Sequence, residues 1–152
     1  MVPDRIEREI VIDAPVDVVW EVVTQPEQIS GWFSDSVELD LRPGGDVTFV
    51  WAGNRTVRGR VERVEPPQVF AFRWVAAESA ELADRNMLLV EFTLTPEGER
   101  TRLKVVETGF GQLAGSEDAR REHFDGHGRG WERELGHLVT YVAQHEQRSE
   151  RG

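Results

Sequence analysis

The sequence predicts an α+β fold in which an antiparallel sheet wraps around a long C-terminal helix and leaves a cavity between the two. Within residues 130–142, apolar side chains recur every three to four positions, which is typical of an amphipathic helix. Upstream, several segments alternate apolar and polar side chains, as strands with one buried face do. Most of these segments follow one another with only turns between them, so consecutive strands are expected to pair antiparallel.

Length and composition indicate a single domain over residues 1–152, with its core at 6–146 and a polar C-terminal tail. The 28 acidic residues outnumber the 18 basic ones and give a net charge of -10, which argues against nucleic-acid and membrane partners. The absence of cysteine excludes disulfides and cysteine metal sites. No signal-peptide pattern and no membrane-spanning apolar run occur, so we expect a cytoplasmic location.

The N-terminal part is predicted to form one strand followed by two short helices. Residues 6–12 carry three isoleucines on one face and Glu7, Glu9 and Val11 on the other, which indicates a strand. A helix follows, with Asp13 or Ala14 at its cap and Pro15 in its first turn, where the missing N–H costs nothing. Pro26 begins a second short helix.

Six further strands are predicted between residues 36 and 108, which gives a seven-stranded sheet in total. Turns rich in glycine and proline separate most of them, and residues 76–85 are predicted to form a longer hairpin loop. Gly59 marks either a bulge or a close approach to the helix. The strands are residues 36–41, 47–51, 56–65, 70–74, 87–95 and 101–108.

The C-terminal helix is predicted over residues 116–147, with Ser116 at its start. Glu134 is expected to lie off its apolar stripe. The stripe consists of Trp131, Leu135, Leu138, Val139 and Val142.

Three glycines, Gly126, Gly128 and Gly130, fall within this helix, and each costs about 1 kcal/mol there. We expect them to weaken or bend it and to divide it into a core-forming part from Trp131 onwards and a functional part at residues 123–130. A flexible gate over the cavity, close helix–sheet packing and a break between two helices all remain open.

Inward-facing aromatic residues are the main functional signal, since five tryptophans in 152 residues could line a partly open apolar pocket. An aromatic core without any ligand is the alternative. Trp32 and Phe33 are expected at the cavity mouth. The predicted ligand-binding residues are Trp32, Phe33, Trp51, Phe72, Trp74, Glu107, Phe110, Phe124, His127 and Trp131.

Glu107 shares the strand parity of the apolar Leu103 and Val105, so an unbroken strand would direct its carboxylate into the core. There it could anchor a ligand, or act as an acid or base together with His127, which lies four positions before Trp131. The alternatives are a carboxylate paired with Arg8 or another arginine, or one turned to solvent.

His123 and His127 would share one helix face, a spacing that can hold a metal. The His-Glu-x-x-His pattern and a third ligand are both missing, so we predict no metal and no cofactor. The alternative is a pair of histidines at the pocket rim.

The chain resembles the Bet v 1-like (START-like, SRPBCC) superfamily, and within it the branch related to the Hsp90 ATPase activator (AHSA1-like). This resemblance runs from about Ile6 to Val142 and implies a helix-grip fold with an internal cavity, but no particular reaction. The residues that carry it are Ala14-Pro15, Val19-Trp20, Thr24, Pro26-Glu27, Trp32-Phe33, Pro43-Gly44-Gly45, Gly59, Pro66-Pro67, Phe72, Trp74, Thr101, Leu103, Glu107, Gly109-Phe110, Gly130-Trp131, Leu135 and Leu138.

Three functions follow as hypotheses. The first, which we favour, is a binding protein for a hydrophobic or aromatic small molecule, with no catalysis required. The second is a polyketide-cyclase-like or hydrolytic enzyme that uses Glu107 and His127. The third is a co-chaperone-like module with a protein partner, and a homodimer is also compatible with the sequence.

Overall fold

The computed structural model describes residues 2–52, 55–76 and 86–151, with side chains up to residue 144. It confirms the α+β class, with seven antiparallel strands and a long C-terminal helix. The predicted hairpin loop at residues 76–85 lies almost entirely outside the described residues. The elements are β1 (Arg5–Ile12), α1 (Val16–Thr24), α2 (Pro26–Ile29), β2 (Ser36–Leu39), β3 (Asp46–Trp51), β4 (Arg55–Glu65), β5 (Val69–Val75), β6 (Met87–Glu97), β7 (Arg100–Thr108) and α3 (Glu117–Arg151).

The strands are ordered β1-β7-β6-β5-β4-β3-β2, and every neighbouring pair is antiparallel. Strands β2 to β7 therefore pair with their neighbours in sequence, as the succession of turns predicts. The first strand is the exception, because it pairs with the last one and places Arg5 opposite Thr108. One continuous apolar core fills the space between the sheet and the helices.

Gly59 makes a close approach, but to a strand and not to the helix. It lies opposite Trp74 of β5, and a Cβ atom there would stand 2.2 Å from the carbonyl oxygen of Arg73. The irregularity in this part of the sheet falls instead between Val61 and Arg63, where the register of β4 and β5 shifts. A side chain at Gly59 would push the two strands apart.

The start of α1 differs from the prediction, whereas the start of α3 agrees with it. Pro15 itself is the N-cap of α1 and provides no side-chain hydrogen bond, while Asp13 lies outside the helix and pairs with Arg100 at 3.6 Å. At α3 the prediction is confirmed, since the Ser116 hydroxyl accepts a hydrogen bond of 3.1 Å from the backbone N–H of Ala119.

The buried face of α3 is rotated relative to the predicted stripe. Trp131, Leu135, Leu138 and Val142 are buried as predicted. Val139 is 42% exposed, and Glu134, expected off the stripe, is 7% exposed. Because these two residues lie on opposite edges of the stripe, the helix has turned its Glu134 edge towards the sheet.

The helix α3 runs without interruption through its three glycines, so the alternative of a break between two helices was wrong. Gly128 packs closely on β1, since a Cβ atom there would lie 3.3 Å from Arg8 Nη2 and 3.9 Å from Ile6 Cδ1. No atom lies within 4 Å of the corresponding position at Gly126. Burial of the apolar residues that follow, from Trp131 onwards, stabilises the helix enough to offset the low helix propensity of glycine.

Candidate ligand-binding site

A cavity of about 340 Å³ lies between α3 and the inward faces of β3, β4 and β5. Its aromatic wall consists of Phe33, Trp51, Trp74 and Trp131. Its helical wall is one face of α3, formed by His123, Gly126, His127, Gly130, Arg133 and Glu134. The lining is completed by Arg55, Val57, Val75 and Ala76.

The aromatic wall is a tightly packed group with Phe33 at its centre. The Phe33 ring stacks on Trp74 at a centroid distance of 5.8 Å and on Trp131 at 5.6 Å. Trp51 meets Phe33 edge-on at 5.3 Å, and its indole N–H donates to the Phe33 carbonyl at 2.9 Å. These contacts fix the rings from several sides, so the wall is formed before any ligand arrives.

The position of Phe33 follows from the local structure around α2. The backbone N–H of Phe33 donates to the carbonyl of Ile29, which continues the turn beyond the helix end. The neighbouring Trp32 side chain donates its indole N–H to the Val22 carbonyl of α1 at 3.0 Å. Trp32 is therefore held in the core, and only Phe33 reaches the cavity.

Glu107 is fully buried behind the aromatic wall, as the strand parity predicts. Its carboxylate accepts the indole N–H of Trp74 at 2.7 Å and that of Trp131 at 2.8 Å. His127 Nδ1 lies 3.0 Å from both carboxylate oxygens. The alternative in which Arg8 pairs with Glu107 is wrong, because Arg8 lies 3.4 Å from the carboxylate of Glu132. Three donors from β5 and α3 thus satisfy one buried carboxylate of β7.

His127 stands between Glu107 and the cavity, with its side chain 20% exposed. Nδ1 faces the acceptor-only carboxylate, and Nε2 lies 3.3 Å from the carbonyl oxygen of Ala76. Burial by itself lowers the pKa of His127, but the hydrogen bond and the charge of Glu107 outweigh it and raise the pKa above its ordinary value. Because both ring nitrogens face oxygen acceptors, the site favours the doubly protonated imidazolium.

The rim of the cavity carries charged groups from β4 and α3. The Arg133 Nε donates to Glu134 at 2.9 Å, so these two charges offset each other. The Arg55 guanidinium lies 6.0 Å from the ring centroid of Trp51. Burial, followed by the nearby His127, lowers the pKa of His123, which therefore favours its neutral form.

Of the residues predicted to bind ligand, five line the cavity and five do not. Phe33, Trp51, Trp74, His127 and Trp131 line it. Trp32, Phe72, Glu107, Phe110 and Phe124 lie outside the lining.

The residues outside the lining are held by contacts with the core. Trp32 and Phe72 border a separate space of about 10 Å³, too small for more than a single water. Phe110 is fully buried, with the ring of Phe124 against it at 5.4 Å and that of His127 at 5.5 Å. These side chains shape the cavity from behind.

The lining residues Glu134 and Arg55 were missed by sequence reasoning, although a signal for them existed. Gly126 and Gly130 lie within the predicted functional segment 123–130, and Glu134 continues their four-residue spacing along the same face of α3. Arg55 shares the inward parity of Val57 on the same strand.

His123 and His127 have ring centroids 6.4 Å apart, and within residues 2–52, 55–76 and 86–144 no group of three or more histidine, aspartate or glutamate residues could hold a metal.

Comparisons with known proteins identify the family of this chain. The profile of a family described as activator of Hsp90 ATPase homolog 1-like protein matches residues 13–143. The chain belongs to this family. This AHSA1-like chain is also 35% identical over 92 residues to the bifunctional enzyme NanE/NanK of Brucella melitensis biotype 1, a match that covers 54% of this chain. The chain spans only 18% of the length of that curated relative.

Solved structures share the fold of this AHSA1-like protein. CalU16 from Micromonospora echinospora is 32% identical, with a TM-score of 0.67, over 95% of this chain and 79% of that one. DynU16, a protein in the dynemicin biosynthetic locus, is 25% identical, with a TM-score of 0.74, over 93% of this chain and 48% of that one. Protein MLL2253 from Mesorhizobium loti shares the fold at 21% identity, with a TM-score of 0.76, over 92% and 97%. Among the described residues of the AHSA1-like chain, no helix has the length and apolar character needed to cross a membrane.

Proposed function

We propose that this protein binds a small hydrophobic or aromatic molecule in the cavity between the sheet and α3. The observation that carries the proposal is the cavity of about 340 Å³ with an aromatic wall already in place. Small-molecule sites are concave, mostly apolar and largely preformed, and have volumes of about 300–1,000 Å³. The family match over residues 13–143 supports treatment of the chain as one binding domain.

The cavity volume limits the size of the ligand. An engineered apolar cavity of about 150 Å³ is large enough for benzene. The cavity of about 340 Å³ has slightly more than twice that volume, so it suits a compact body of about two rings. The cavity is not enclosed and its lining includes the exposed Arg55 and Arg133, so a larger molecule could extend past them towards solvent.

The absence of side chains at two lining positions makes part of this volume available. A Cβ atom at Gly126 would have no atom within 4 Å, and at Gly130 only the Arg133 side chain at 4.0 Å. Leucine at both positions would project into the open space and block the cavity. Gly136 on the same helix also has no atom within 4 Å but lies outside the lining, so Gly136→Leu is a matched control.

The test is native mass spectrometry on protein purified from its own host, followed by tryptophan quenching with a series of two-ring aromatic compounds. Wild type and Gly136→Leu should retain a small molecule or show saturable quenching. The Gly126→Leu/Gly130→Leu variant, with wild-type circular dichroism, should do neither. Equal binding by the blocked variant, or no binding by wild type, would contradict the proposal.

Catalysis by Glu107 and His127 is a second candidate, favoured by the 3.0 Å contact between them. In the imidazolium form, His127 would serve as a general acid that donates from Nε2 to a bound oxygen, with Glu107 holding the opposite nitrogen. If this hypothesis holds, His127→Gln should abolish turnover of a retained molecule while the molecule still binds. Unchanged turnover would contradict it.

A co-chaperone-like function would predict a filled cavity and an exposed apolar surface. Among the described residues, the exposed large hydrophobic side chains are Val11 and Val139. Two valines do not form a broad apolar patch, and the cavity is open. Small-molecule binding is therefore the better supported proposal.

A further inference from the structure

We infer that the cavity selects an aromatic ligand that carries an anionic oxygen, such as a carboxylate, placed at the end of the cavity between His127 and Arg55. The inference rests on the proposed function and adds the chemical class of the ligand. Some polar groups of the lining already have hydrogen-bond or ion-pair partners within the protein, and others can still bind a ligand. The inference follows from this difference.

The first such group is His127 Nε2. Glu107 engages Nδ1 at 3.0 Å, so the hydrogen on Nδ1 is fixed and Nε2 is the nitrogen that remains for a ligand. Its present acceptor, the Ala76 carbonyl, lies 3.3 Å away, at the long end of the hydrogen-bond range. A carboxylate oxygen would form a shorter, charge-assisted bond with the same N–H.

The second group is the Arg55 guanidinium on the inward side of β4. It lies over the Trp51 ring at 6.0 Å, and in the part of the chain that the structure describes it has no acidic partner within 4.0 Å. What distinguishes Arg55 from the other exposed arginines of β4 is its place in the cavity lining. A ligand carboxylate would supply the missing partner in the geometry that guanidinium groups favour.

The acidic groups near the cavity are already occupied. Glu107 is fully buried and bound by three donors, so it presents no oxygen to a ligand. Glu134 lines the cavity but accepts the Arg133 Nε at 2.9 Å. The Glu107–His127 and Arg133–Glu134 pairs are each neutral overall, so the unpaired charge in this set is the positive one of Arg55, and His127 adds an N–H donor at Nε2.

A cationic ligand is the competing possibility, since aromatic rings also bind ammonium groups and Glu134 could attract one. Two features oppose it. The Trp51 ring already has the Arg55 cation over it, and the imidazolium of His127 stands between Trp74 and the helix. A second cation in this space would meet like charges on two sides.

The test compares four naphthalene probes, whose two rings suit the cavity: 2-naphthoate, 2-naphthamide, 2-methylnaphthalene and 2-naphthylmethylammonium. Affinities are measured by calorimetry and by tryptophan quenching at pH 6. We expect 2-naphthoate to bind about tenfold more tightly than 2-naphthamide, because charge-assisted hydrogen bonds are about twice as strong as neutral ones. The ammonium probe should bind most weakly.

Variants show whether the named residues produce this preference. Arg55→Gln and His127→Gln should each weaken 2-naphthoate binding by about tenfold and leave 2-methylnaphthalene within about twofold. Arg58→Gln is the control, because Arg58 lies on the same strand with opposite parity and is exposed. Arg55 is itself exposed, so Arg55→Gln tests the inference even if the His127 variant is unstable.

The outcomes separate this inference from the proposed function. Equal affinities for 2-naphthoate and 2-methylnaphthalene would leave the cavity a binding site and overturn the selection of an anion. Tighter binding of the ammonium probe would overturn it in favour of recognition by Glu134. Failure of all four probes to bind would contradict the inference and the proposed function together.

Discussion

Replacement of Glu107 by glutamine tests how much the buried carboxylate contributes to the fold. A glutamine side chain has one acceptor oxygen and one donor NH₂ group, whereas the carboxylate has two acceptor oxygens. It can therefore satisfy the indole N–H of either Trp74 or Trp131, but not of both in their present geometry. The ion pair with His127 is lost in either case.

The magnitude follows from these two losses. A buried donor left without an acceptor costs about 1–3 kcal/mol. Breakage of a buried ion pair costs about 3–5 kcal/mol, less here because His127 can release its proton. We expect the free energy of unfolding to fall by about 3–4 kcal/mol, out of a typical total of about 5–15 kcal/mol. For a chain of this size, the Tm should drop by about 6–16 °C.

Urea unfolding measures this loss, and NMR of the indole N–H groups locates it. Of the five tryptophan side chains, those of Trp74 and Trp131 should show the largest shifts. Glu134→Gln is the matched control, because Glu134 is also buried but is paired only with side chains exposed by more than half, and it should cost under about 1 kcal/mol. A Glu107→Gln loss no larger than that of Glu134→Gln would refute the account of Glu107 as the acceptor of three donors.

Two further predictions concern α3. Gly126→Ala and the control Gly136→Ala should each raise the free energy of unfolding by about 0.5–1 kcal/mol in urea titrations, since neither Cβ meets another atom within 4 Å. Destabilisation by Gly126→Ala alone would contradict the open cavity at that position. Because Glu107 raises the pKa of His127, the imidazolium contributes stability that is fully present below the unfolded pKa of about 6.5 and is lost as pH rises through the folded pKa. The difference in unfolding free energy between wild type and His127→Gln should therefore shrink with rising pH, whereas His123, whose pKa is lowered, should contribute a slope of opposite sign.

The strands were predictable because they carry strict alternation. Leu103, Val105 and Glu107 share one parity, and that parity alone places a carboxylate in the core. The partners of Glu107 were only partly predictable. His127 follows from its position on the helix, but Trp74 and Trp131 could be foreseen only as ring surfaces, since nothing in the periodicity shows where an indole N–H points.

The rotation of α3 could not be obtained from its hydrophobic pattern. At about 100° per residue, Val139 and Glu134 lie about 80° and 60° from Trp131 on opposite sides. Hydrophobicity selects the valine, yet the folded chain exposes it and buries the glutamate. The reason is that Glu134 borders a cavity and bonds Arg133, so its burial does not require an apolar environment. A hydrophobic pattern that assumes a fully packed core therefore assigns the wrong burial to helix residues that border a cavity.

The pairing of β1 with β7 also has a consequence during synthesis. The two strands lie about a hundred residues apart in sequence, and β1 leaves the ribosome first. At a synthesis rate of about 5–20 residues per second, β7 is completed on the order of 5–20 seconds after β1. Throughout that time Ile6 and Ile12, both buried in the finished protein, have no strand to cover them. The charged residues 7–9, which separate Ile6 from the apolar end of β1, keep this unpaired segment from resembling an aggregation-prone strand.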